Sequence, residues 1–68
     1  MIYTINCAIE DIKNLKYGQH CLYNPKTNEI FLDLDNVVEH EKKTGQHVEI
    51  EDLVLMSREE AIDIVTIS

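Results

Sequence analysis

Apolar and polar residues alternate from the start of the chain, with Tyr3, Ile5, Cys7 and Ile9 on one side and Ile2, Thr4, Asn6 and Ala8 on the other. A period of two in a stretch rich in β-branched and aromatic residues predicts a first strand over 2–9. The period then lengthens: Ile9, Ile12 and Leu15 have helical spacing, Glu10 and Asp11 open the segment, lysines close it, and Gly18 follows. These features predict a two-turn helix over 10–17 that stops at the glycine.

Two further alternating runs, 19–23 and 29–34, flank Asn24-Pro25-Lys26-Thr27-Asn28. Pro25 presets φ for a turn and Asn28 tolerates the left-handed conformation, so the segment predicts a hairpin at about 19–34. Alternation in its second strand puts Ile30, Leu32 and Leu34 on a buried face and Phe31, Asp33 and Asp35 on the other. Asp35 or Asn36 is then expected to cap a helix over 37–44, with Glu39 completing a capping box and Gly45 as the stop.

Residues 47–51 alternate like a strand that Leu53 to Met56 would extend. Ser57-Arg58-Glu59-Glu60 has the Ser-x-x-Glu form of a helix start, so a helix with Ala61, Ile62 and Val65 inward is preferred to the strand that the alternation over 61–67 also permits. The expected fold is a single α+β domain over 1–68: a small, mostly antiparallel sheet including the hairpin, packed with two or three short helices.

A chain of 68 residues buries only about 60 % of the surface its unfolded form exposes, so docking onto a partner or self-association is expected. The longest pure apolar run, Leu53 to Met56, is far short of the roughly 18 to 20 residues that cross a bilayer, and no membrane span is expected. The first residues lack a basic region followed by an apolar segment, so no signal peptide is expected. Cys7 and Cys21 are accordingly expected to remain reduced in a cytoplasm.

Thirteen acids against six bases, a net charge of −7, argue against direct binding to nucleic acid or to anionic membranes. The charge is uneven: residues 29–63 carry eleven acids against Lys42, Lys43 and Arg58, whereas the first 28 residues carry a small positive excess. Acidity belongs to the second half.

Cys7, His20, Cys21, His40 and His47 are enough ligands for a tetrahedral metal, but no Cys-x-x-Cys is present, and adjacent His20 and Cys21 diverge on a strand. His40-Glu41-Lys42-Lys43-Thr44 has Thr44 where the H-E-x-x-H helix needs its second histidine. Asp33-Leu34-Asp35 opens like a calcium loop, yet Val38 and Thr44 stand where that loop needs Gly and Glu. Gly18 and Gly45 cannot make a phosphate-binding loop, and a domain this small has little interior for a catalytic pocket. No enzymatic activity and no cofactor are expected.

What remains is a surface. Cys21, Tyr23, Phe31, Asp33 and Asp35 are expected on the hairpin face opposite Ile30, where two aromatic rings bordered by acids resemble a binding patch, unless a helix covers them as core. Glu39, Glu49, Glu51 and Asp52 add a charge run that either only solvates the surface or imitates the phosphates of nucleic acid. The expected function is a cytoplasmic protein-binding module, an inhibitor or adaptor of the compact acidic type found in phages and mobile elements. It would dock Tyr23, Phe31, Asp33, Asp35, Glu39, Glu49, Glu51 and Asp52 on a basic surface of a larger protein that itself handles nucleic acid. The alternatives are a small metal-binding regulatory domain using Cys7, Cys21 and a histidine, and a homo-oligomer subunit joined through Leu53 to Met56 or through Ile62, Ile64 and Ile67.

Overall fold

The computed structural model describes residues 3–67, in which four strands and three α-helices follow one another as β1 (Thr4–Ile5), α1 (Ile9–Lys13), β2 (His20–Asn24), β3 (Glu29–Phe31), α2 (Leu34–Thr44), β4 (Val54–Ser57) and α3 (Arg58–Ile67), with a 3₁₀ turn at Ile50–Asp52. The strands form one sheet in the order β1-β3-β2-β4. The architecture is α+β, as the alternation implies. The sheet is mixed and not purely antiparallel: β2 pairs antiparallel with both β3 and β4, but β1 runs parallel to β3. β1 lies beside β3 and not beside its neighbour in sequence, through Thr4 N donating to Asn28 O and Asn6 N to Ile30 O, both at 2.9 Å. Asn6 holds that placement, because its Nδ2 donates to Glu29 Oε2 at 2.9 Å and its carbonyl accepts Asn36 Nδ2 at 3.0 Å.

The hairpin turn follows its residues closely. Asn24 Oδ1 accepts Lys26 N at 3.0 Å, Asn24 O accepts Asn28 N at 2.8 Å, and Asn28 is left-handed at φ 60°. An Asx turn led by proline and closed by asparagine is what those side chains favour. The register pairs Tyr23 with Ile30 and Leu22 with Phe31. Directly paired residues share a face, so Tyr23 and Phe31 lie on opposite faces, and the expected patch containing both rings does not form.

One face carries Cys21, Ile30 and Met56, buried against Ile12 of α1 and Ala61 and Val65 of α3, with Tyr3, Ile5 and Tyr23 packed around them. On the other face Phe31 is buried beneath α2, whose own Val37 is buried too, and the Phe31 ring meets the His40 ring edge-on at 5.3 Å. Leu32 and Leu34 are not strand core. The strand ends at Phe31, and Leu34 begins α2, 53 % exposed.

Helix α2 therefore begins three residues before the expected 37–44. Asp33, and not Asp35 or Asn36, is its cap: its backbone is extended and its side chain accepts Asn36 N at 2.8 Å. Asn36 instead accepts Leu32 N through Oδ1 at 2.8 Å, so its amide is used across the chain and not for capping. Gly45 ends α2 at φ 73°, in the left-handed stop expected of it. Helix α1 is shorter than expected and ends at Lys13, and Gly18, at φ 88°, sits in the following turn. Residues 47–49 form no strand, and the strand of this region is β4. Ser57 Oγ accepts Glu60 N at 3.2 Å, which starts α3 as the Ser-x-x-Glu pattern implies.

Candidate functional site

The first turn of α2 stands as a ridge between two depressions of different chemistry. Alternation in β2 and β4 turns Leu22 and Leu55 toward the face that α2 only partly covers. Leu22 and Leu55 join Leu32 and Leu34 in an open groove of about 420 Å³, with His20, Asp33 and Asp35 at its rim. Leu55 is 70 % exposed, and Val38, one turn after Leu34 on α2, is also exposed. Four leucines from three segments thus present apolar surface to solvent, which single scattered residues do not.

On the other side of the ridge, Asp33, Asp35 and Glu39 meet Asp11 of α1 around a cleft of about 390 Å³ floored by Cys7 and Ala8. Asp35 and Glu39 are one helical turn apart and so point the same way. Burial pushes the Cys7 thiol from its ordinary 9.0 up to about 11, with the charges of Asp11, Cys21 and Asp33 adding to the rise. A thiol held protonated in acidic surroundings is a poor nucleophile. Burial also raises the Cys21 thiol.

The residues singled out from the sequence are divided by the fold. Asp33, Asp35 and Glu39 come together at the ridge. Glu49, Glu51 and Asp52 follow the other end of α2: Glu49 Oε1 accepts His47 Nε2 at 3.1 Å, and Asp52 Oδ1 binds Lys26 Nζ at 3.0 Å. The acids singled out from the sequence therefore fall at opposite ends of α2. Phe31 is core, and Tyr23 is half-buried on the opposite face, where its hydroxyl donates to Asn28 Oδ1 at 2.7 Å and its ring lies 5.7 Å from that of Tyr3. Neither ring is an exposed anchor.

Leu22, Leu34 and Asp11 were not expected among the partner-binding residues, and Leu55 was expected only within a homo-oligomer seam over Leu53 to Met56. A signal for Leu34 existed in the Asp33-x-x-Asn36 spacing, which marks a helix start two residues ahead of Asp35. For Leu55 the apolar run Leu53 to Met56 suggested a seam between copies, but nothing local placed it beside Leu22 and Leu34.

Among the described residues, no group of three His, Cys, Asp or Glu side chains is placed to hold a metal ion, and no helix is long and apolar enough to cross a membrane. His20 pairs with Ser57 while the adjacent Cys21 is buried toward α1 and α3, so the two diverge as strand geometry requires. Comparison with protein-family models, curated proteins and solved structures finds no match.

Proposed function

We propose that this chain is a non-enzymatic protein-binding module, an inhibitor or adaptor acting in the cytoplasm, that sets the first turn of α2 against a basic surface of a larger protein. The observation that carries the reading is the ridge itself, with an apolar groove on one side and an acidic cleft on the other. An apolar side chain of the partner enters between Leu22, Leu34 and Leu55, and flanking lysines or arginines meet Asp33, Asp35, Glu39 and Asp11. Burying one such anchor contributes about 1.5 to 3 kcal/mol. The carboxylates act mainly on encounter rate and on choice of partner, and salt weakens them over a Debye length of about 8 Å. Glu49, Glu51 and Asp52 extend the negative field without touching the anchor. The anchors in this reading are leucines, in place of Tyr23 and Phe31.

Affinity capture from lysate of the native host, at low and high salt, tests it with three proteins: wild type, Leu34→Asp, and the double variant Asp35→Lys/Glu39→Lys. One stoichiometric partner on the wild type, released by salt and lost in both variants while their thermal unfolding is unchanged, is the expected result. Displacement of that partner by DNA or RNA would identify the occupied surface as a nucleic-acid channel. Capture equal in all three proteins, or no capture at either salt, overturns the reading.

A further inference from the structure

The sheet has two free edges of unlike design. β1 is only two residues long, whereas β4 offers the backbone edge of four, Val54-Leu55-Met56-Ser57, with no charge and no proline. Charges and prolines are among the usual protections against edge-to-edge pairing, and β4, though short, has neither within it. We propose that β4 pairs antiparallel with β4 of a second copy, making a two-fold dimer with one continuous eight-stranded sheet. This goes beyond the reading of the α2 ridge, because extension within the sheet plane leaves the groove and the acidic cleft open.

Geometry restricts the register. Directly opposed residues in an antiparallel pair point to the same face, and a two-fold axis normal to the sheet keeps each face with itself. A residue must therefore oppose one of its own parity, which leaves Leu55 or Met56 as the centre of the four-residue strand. Centring on Leu55 sets Leu55 against Leu55 of the second copy on the groove side, and Val54 against Met56 on the helix side.

Charge selects between the two. With Leu55 at the centre, the end of β4 that follows Asp52 of the 3₁₀ turn lies beside the end that leads into Arg58 of α3 in the second copy, which brings an acid and a base to the same end of the seam, twice by symmetry. With Met56 at the centre, Arg58 faces Val54 and finds no acid. Both charged side chains are tethered nearby, Asp52 through Lys26 at 3.0 Å and Arg58 through its Nε on Leu15 O at 2.7 Å. The apolar groove also gains from this register, since Leu55 borders it and the two grooves become one strip across the axis. A second copy supplies a matching strand edge, a matching apolar strip and charges of opposite sign at each end of the seam together, although Asp52 and Arg58 already have partners in their own chain. A foreign strand would have to supply each of these independently.

Sedimentation velocity of the full chain from micromolar to hundred-micromolar concentration is the first test, with twice the 7.9 kDa chain mass expected at the upper end. Leu55→Lys, at an exposed position, is expected to hold the monomer mass with unchanged far-ultraviolet circular dichroism. Opposed Cα atoms in an antiparallel pair are about 4.5 to 5.5 Å apart, within disulfide range. Leu55→Cys in a Cys7→Ser background should therefore cross-link under mild oxidation to a covalent dimer, well ahead of a control with cysteine at exposed Tyr17. A wild-type monomer at all concentrations overturns the proposal. So does a dimer that Leu55→Lys leaves intact, or one in which Leu55→Cys cross-links no faster than the Tyr17→Cys control. Loss of partner capture without a change in mass would bear only on the α2 ridge.

Discussion

The two faces of the sheet receive the same alternation of side chains but unequal cover. On one face α1 and α3 together bury Cys21, Ile30 and Met56, although Val54 at the β4 edge stays exposed. On the other, α2 lies chiefly over β3 and buries Phe31 and Val37, while Leu22 is only half-covered and Leu55 is open. Two helices cover more of a four-stranded face than one does. The difference teaches where to look in a small α+β domain: apolar residues on the under-covered face are surface, although their pattern is that of core.

The strongest way to break this contrast is Phe31→Ala. If α2 is a true cover over β3, losing a fully buried ring costs about 3 to 5 kcal/mol. The total stability of a domain this size is about 3 to 10 kcal/mol, so the variant should be largely unfolded at 37 °C by thermal scan. A shift of only a few degrees would mean that the α2 face contributes little to the core.

A smaller effect sharpens the assignment of the ridge. Asp33→Ala removes the cap that holds the first turn of α2 and should cost about 1 kcal/mol in a urea titration, whereas Asp35→Ala, exposed and without a capping bond, should stay within about 0.5 kcal/mol. Equal costs would put the cap elsewhere.

The smallest effect concerns Cys7, at the junction of the acidic cleft and the α1/α3 core. Its pKa is about 11 in the folded chain against the ordinary 9.0. The folded state thus holds the proton more tightly than the unfolded one, and stability that is complete below pH 9 declines as pH rises toward 11. Alkylation by iodoacetamide at pH 8 should be roughly a hundredfold slower in native protein than in urea-unfolded protein, in line with the thiolate fraction. Asp11→Asn should quicken the native reaction by removing one of the charges that raise the pKa. A native rate equal to the unfolded rate would show Cys7 to be solvated.

Much of the fold was legible in the sequence, because the signals involved are local. Pro25 and Asn28 determined the hairpin turn, Gly45 the end of α2, and Ser57 with Glu60 the start of α3, since each acts on backbone within one turn of itself. The hairpin faces were not legible: shifting the pairing of Tyr23 by one residue moves every side chain to the other face, and the register depends on how many residues the turn consumes. The parallel placement of β1 was equally hidden. Asn6 reaches Glu29 and Asn36 across more than twenty residues of chain, and no local pattern announces such bonds.

The candidate site divides in the same way. That the chain is acidic, that it folds as α+β, and that Asp33, Asp35 and Glu39 stand near a helix start can be read from the residues alone. That Phe31 is core, that Asp11 joins those acids, and that Leu22, Leu34 and Leu55 share a groove follows from the packing. Burial is a property of neighbours, and which neighbours an apolar residue meets depends on how many helices cover its face of the sheet.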